Sequence, residues 1–191
     1  FTVMFTTLKS AKETVSVTNR NSKMPGSAFS SSAKHCRVGG RLAKLKGSIC
    51  EGCYALRIQN MRPSVDKGWT ANYEKSLDLI GGPAFIKWVA ACVFQILRFA
   101  KKTGEPYHRW FDAGDLDSVD QLAAICEVAR QTPHINHWLP TRELAIVRAY
   151  KGAVPSNLVI RLSAPMVDQA PVKGANTSTV HKLKPAHGHV C

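Results

Sequence analysis

Apolar residues recur every three or four positions over residues 69–80 and again over residues 83–102, the spacing that lines one face of a helix. Gly81-Gly82 breaks the run and Pro83 suits a helix start. After Gly104 the period changes. Short strand-like runs at residues 107–111, 135–139 and 158–162 alternate with helical patterns at 118–131 and 141–150. Strand, helix, strand, helix, strand implies parallel strands joined by right-handed crossovers. The first sixty residues are rich in Ser, Lys and Gly and show little periodicity, apart from strand patterns at residues 2–8 and 14–17. The pattern therefore predicts an α/β fold: a partial parallel (β/α) barrel-like sheet with an irregular, cysteine-bearing N-terminal region. Residues 1–191 read as a single domain, loop-rich and cysteine-bearing over 1–67, with helices and βαβ units over 68–191.

The chain of 191 residues is 45% hydrophobic, enough for one core of ordinary size. Its longest apolar stretch, residues 84–100, is broken by Lys87 and Arg98 and is short for a bilayer. With no signal-peptide pattern, the expectation is a soluble intracellular protein with no membrane partner. The sequence runs from Phe1 to Cys191, which reads as truncation at the C-terminus with room for further ligands beyond.

Three of the six cysteines carry the chemistry: Cys36, then Cys50 and Cys53, separated by two residues. Such a pair can turn both thiolates toward one metal centre, and a third from a preceding loop completes a three-pronged anchor. The competing reading is a redox dithiol or small buried hydrophobes. Gly39, Gly40, Gly47 and Gly52 lie among them, together with Lys34, Arg37, Arg41, Lys44 and Lys46, a basic surrounding that offsets thiolate charge. Irregular cysteine spacing in a chain of this length argues against a secreted disulfide framework. Cys92 and Cys126 fall among periodic apolar residues and read as core. His35 beside Cys36 is the one sequence neighbour that could serve thiol nucleophilic chemistry, though adjacent side chains usually point apart.

The formal net charge is +13, and ten Lys or Arg lie between Arg20 and Lys67 against Glu51 and Asp66. That imbalance suits a phosphate-bearing partner, nucleic acid or a nucleotide-like ligand. No RNP pattern, helix-turn-helix signature or zinc-finger spacing accompanies it, so charge alone does not choose between the two.

Polar residues fall just after the predicted strands, where parallel sheets place their ligands. Asp112, Gly114 and Asp115 follow the first, Thr141 and Arg142 the second, Ser163 and Met166 the third. Asp115, Ser118 and Thr141 also fit as helix caps. Arg142 and Arg161 fit either a ligand carboxylate or phosphate, or a pairing with Asp112 and Asp115. Trp110 and Trp138 lie on the strands, where either can line a pocket and stack on a purine.

Lys23-Met24-Pro25-Gly26-Ser27, Cys50-Glu51-Gly52-Cys53-Tyr54-Ala55, Arg109-Trp110-Phe111-Asp112-Ala113-Gly114-Asp115 and His137-Trp138-Leu139-Pro140-Thr141-Arg142 together resemble the bacteriophage gene product 88 family, from Lys23 onward. A more distant likeness is to radical S-adenosylmethionine enzymes, whose partial barrels begin with a three-cysteine loop holding a 4Fe-4S cluster. That likeness implies Cys36, Cys50 and Cys53 as iron ligands, and Asp112, Asp115, Thr141 and Arg142 as the surroundings of S-adenosylmethionine. The chain departs from those enzymes in placing thirteen residues between its first two cysteines and in the shortness of its parallel run. The phage resemblance implies action in the cytoplasm of the infected host cell or in the virion.

Cys191, in His187-Gly188-His189-Val190-Cys191, is the candidate fourth ligand that would close the site. The expected function is thus a phage iron-sulfur protein with a Cys-x13-Cys-x2-Cys motif and radical S-adenosylmethionine-like redox chemistry. The alternative is a non-catalytic metal-stabilised module that binds nucleic acid, with zinc on the three cysteines and Cys191 or His189 as the rival metal site. Oligomeric state is not legible in the sequence.

Overall fold

Thr7 accepts a hydrogen bond from the Ser10 N–H and caps α1 (Leu8–Thr14), and residues 5–7 of the strand predicted over 2–8 form no strand. Residues 2–4 of that predicted strand lie outside the described part; the computed structural model describes residues 5–19, 24–183 and 188–189. Leu8 and Ala11, three apart, face the core, and that helical spacing overrides the local β-propensity. Of the second predicted strand, over 14–17, Thr14 ends α1 and Val17 alone joins a strand, β1 (Val17–Thr18).

The region expected to be loop-rich is more helical than its composition suggests. After β2 (Ser27–Phe29) come a single 3₁₀ turn at Ala33–His35, α2 (Arg37–Leu42), α3 (Tyr54–Met61) and α4 (Pro63–Ile80). Pro63 occupies the first turn of α4, where its missing N–H is no loss, so this helix begins six residues before the apolar period does. Next are α5 (Phe85–Thr103), β3 (Tyr107–Arg109), α6 (Val119–Gln131), β4 (Asn136–Thr141), α7 (Leu144–Ala149), β5 (Leu158–Ser163) and β6 (Thr177–Ser178). Ser118 caps α6 through the Gln121 N–H, as its position suggested.

The six strands form one sheet in the order β1-β2-β3-β4-β5-β6, parallel throughout except where β1 meets β2. Sequential order means that every crossover winds the same way, the barrel-like arrangement predicted, here left open. The first crossover, from β2 to β3, carries α2 to α5. Gly26 makes this pairing feasible: its φ is +75°, and a Cβ there would stand 2.0 Å from the Tyr107 carbonyl oxygen.

The core lies between the sheet and α1, α5 and α6. Phe29, Trp88 and Trp110 pack ring against ring, with Cys92, Ile96, Leu122, Ile125, Cys126 and Leu139 fully enclosed around them. Cys92 and Cys126 are core residues, as their spacing indicated. Two histidines join this layer. His137 Nδ1 accepts from the Trp110 indole N–H, which leaves Nε2 to donate to the Thr132 hydroxyl, and His108 bonds Ser27.

Pro140 sits inside β4, a central strand. It is tolerated because the β3–β4 ladder ends at the Arg109–Trp138 pair, so no neighbour asks for the N–H that proline lacks. The strands part at that point, and the opening becomes the site.

Candidate metal centre

Each cysteine of the triad is set by local structure. Cys36 joins the 3₁₀ turn to α2, Cys53 immediately precedes α3, and Cys50 heads the tight turn between them, its carbonyl accepting from the Cys53 N–H. The turn is pinned from below. Ile49 N–H donates to the Pro165 carbonyl and Val167 N–H to that of Gly47, so the cysteine loop is zipped to the segment leaving β5. Ser48 and Glu51 tie the loop to itself, the hydroxyl donating to the Leu42 carbonyl and the carboxylate accepting from the Gly47 N–H.

Cys36, Cys50 and Cys53 are free thiols that line one cavity of about 470 Å3 at the carboxyl ends of the parallel strands. The Sγ atoms of Cys36 and Cys50 lie 3.8 and 3.7 Å from the point where a Cβ would stand on Gly39. Both sulfurs therefore flank one patch of bare helix backbone. Among the described residues, no three His, Cys, Asp or Glu side chains converge tightly enough to hold a single metal ion. Cys191 lies outside the described residues, and His189, within them, is exposed.

Burial pushes the Cys36 thiol up to about 12, with Asp115 and the other two thiols adding to the effect and Arg142 opposing it. Cys50 is raised for the same leading reason. Without a cation, Cys36 and Cys50 are neutral thiols near pH 7.

The residues after the strands sort into two groups. Asp115 and Thr141, both expected to surround a ligand, are bonded to each other: the Thr141 hydroxyl donates to Asp115 Oδ1 at 2.5 Å, and the Arg142 and Leu116 N–H groups also donate to that carboxylate. Asp115 caps no helix, and desolvation raises its pKa against those three donors. Gly114 lets this loop approach: its φ is +83°, and a Cβ would meet the Ser31 carbonyl oxygen at 2.9 Å. Asp112, Asp115 and Arg142 all line the cavity, and Thr141 stands behind them. Asp112 pairs with Arg109 at 3.4 Å, and Arg109 lies over the Trp138 ring at 4.8 Å. Nε of Arg109 and Nε of Arg142 are both buried without a hydrogen-bond partner.

Trp138 lines the cavity, whereas Trp110 is buried in the core. Arg161 turns to the Thr177 carbonyl and does not pair with Asp112 or Asp115. His35 stacks on Tyr73 and bonds Ser32, so it is engaged away from the Cys36 sulfur.

Several positioning residues carried no sequence signal. Glu143 is buried and accepts a hydrogen bond from the Val38 N–H, clamping the start of α2 to the end of β4. Gln59, fully enclosed, accepts from the Ala33 N–H and donates to Ser32 and Asp66, fixing α3 to the segment before Cys36. Tyr54 donates to the Asp112 carbonyl at 2.6 Å. Phe111, on the cavity wall, holds a φ of +54°, backbone strain at the mouth of the site.

No helix among the described residues is long and apolar enough to cross a membrane. No curated protein and no solved structure matches the chain. A family model described as Gene product 88 matches residues 5–185, which takes in the cysteine turns, the Asp112–Asp115 loop and the end of β4. The chain belongs to the bacteriophage gene product 88 family.

Proposed function

We propose that this protein holds a 4Fe-4S cluster on Cys36, Cys50 and Cys53 and works as a phage iron-sulfur protein. The observation that carries the reading is the shared cavity: three free thiols, two of them flanking Gly39, face a space walled by Arg142. In a cubane each thiolate serves its own iron, so ligands stand further apart than around one ion. The triad forms no single-ion site among the described residues, and the proposal gives each thiolate its own iron.

The donor set fits electrostatically as well. Arg142 already lowers the thiol pKa values of Cys36 and Cys50, opposing burial, and its Nε lacks a partner. An anionic group between the thiols and Arg142 satisfies both. Asp115 acts as the base plate that positions Arg142 through its main-chain N–H, and Glu143 keeps α2, with Cys36, against the sheet.

The most concrete enzymatic form is radical S-adenosylmethionine-like chemistry, with the ligand beside Asp112 and Arg142. Bound there, a cluster supplies one-electron reduction of its neighbour. Asp115 and Thr141, consumed by their mutual hydrogen bond, orient the wall in place of touching the ligand.

Anaerobic purification followed by iron and sulfide counting and electron paramagnetic resonance tests the reading. The expected result is brown protein with ~4 iron and ~4 sulfide per chain. Colourless protein carrying stoichiometric zinc, or no metal after reconstitution, overturns it. S-adenosylmethionine binding by the loaded protein then separates the enzymatic form from a cluster with a structural role.

A further inference from the structure

We propose that the sheet face turned away from the helices is a docking track for single-stranded nucleic acid that leads into the cysteine cavity; this deepens the reading of that cavity by naming its substrate class. The strand register carries the inference. Tyr107 pairs with Asn136, Arg109 with Trp138, Trp138 with Val159, and Pro140 with Arg161. Alternate residues of a strand share a face, so Tyr107, Arg109, Trp138, Val159 and Arg161 stand together. Their in-between neighbours, His108, His137, Leu139 and Leu158, are buried on the other face against the helices.

This face is open at its lower end, where Tyr107 is 44% and Val159 41% exposed. At its upper end it runs into the cavity, because Arg109, Trp138 and Pro140 line both. It therefore presents two aromatic planes and two guanidinium groups on adjacent strands, one of them stacked on Trp138. Unpaired bases stack on aromatic and guanidinium planes whatever their identity, while phosphates are met by positive charge. A duplex keeps its bases stacked on each other and cannot use such planes.

Charge complementarity points the same way. The chain carries +13, and Arg41, Lys44 and Lys46 are exposed on and after α2, whose Gly39 and Gly40 wall the cavity. On the cavity wall Asp112 is paired with Arg109 and Asp115 is held by its three donors.

Fluorescence anisotropy of a labelled oligothymidylate of about 12 nucleotides tests this, with a duplex of equal length as competitor. Binding is expected to favour the single strand and to weaken steeply with salt. Tyr107→Ala and Val159→Glu are each expected to weaken it about tenfold or more, whereas Lys101→Glu, on α5, leaves it within about twofold. Tyr107 is exposed, so Tyr107→Ala decides the matter should Val159→Glu unfold by circular dichroism. Equal affinity for duplex, or indifference to Tyr107→Ala, overturns the proposal. Cys36→Ser separates the two readings: it is expected to lose iron and keep oligonucleotide binding. Iron-loaded protein that ignores the oligonucleotide sinks the track and leaves the cluster standing.

Discussion

The Thr141 hydroxyl donates to Asp115 Oδ1 at 2.5 Å, joining the ends of two parallel strands by one charge-assisted bond. Bonds of this kind to a charged group contribute about 1.5–3 kcal/mol. Thr141→Val keeps the shape and removes the donor, so urea unfolding is expected to show a loss of about 2 kcal/mol. A change within a few tenths of a kcal/mol would mean that water replaces the hydroxyl.

Glu143 holds the first turn of α2 through the Val38 N–H at 2.8 Å, across 105 residues of sequence. Glu143→Ala is expected to release that turn, seen as faster hydrogen exchange at the Val38 amide together with poorer iron retention. Glu143→Gln keeps an acceptor oxygen and should protect the amide nearly as well as the parent. Unchanged exchange in Glu143→Ala would remove the clamp from the account.

Gly39 separates folding from metal loading. Alanine is the better helix former by about 1 kcal/mol, but its Cβ would press on Cys36 Cβ at 3.2 Å and stand between two sulfurs. Gly39→Ala is expected to fold with its unfolding midpoint little changed and to load markedly less iron. Full iron content in this variant would contradict a cluster seated on that patch.

Each of Cys36→Ser, Cys50→Ser and Cys53→Ser is expected to abolish the broad absorption near ~400 nm that thiolate-bound iron gives. Cys92→Ala, in the core, should keep the colour and lose about 1–2 kcal/mol of stability for its small cavity. Equal iron content in all four variants would refute the ligand assignment.

His108 and His137 set the acid limit. Burial holds both imidazoles below the usual value, His137 at about 4, with His137 also opposing charge on His108. The unfolded chain takes up these protons near pH 6.5, whereas folded His137 refuses its own until about pH 4, so lowering the pH through that window favours unfolding. Stability is expected to be full above pH 7 and to fall by about 3 kcal/mol toward pH 4 from His137 alone. Urea midpoints of the metal-free protein at pH 7, 6 and 5 check the slope, and a flat series would contradict it.

The helical and strand periods after residue 68 were legible because their apolar residues repeat on one face; α5, α6, β4 and β5 lie where that repeat put them, and α4 covers its repeat but starts earlier, at Pro63. The same logic failed before residue 68. The helices there are short, and their positions come from Thr7, Pro63 and contacts such as Gln59 with Ser32, which no period records. At the site, the sequence named Asp112, Asp115, Thr141 and Arg142 as one group because they follow strands. In space Asp112, Asp115 and Arg142 line one cavity, while Thr141 lies behind the wall and bonds Asp115.

What the sequence determined by itself is the order of elements after residue 68, the kind of residue at each strand end and the identity of the three thiols, since these follow from local spacing and side-chain chemistry. The tertiary structure decided which of those residues face a common cavity and which are consumed in holding it. That choice rests on hydrogen bonds and packing between segments as much as 105 residues apart, such as Glu143 with Val38, and such pairings leave no trace in a local pattern.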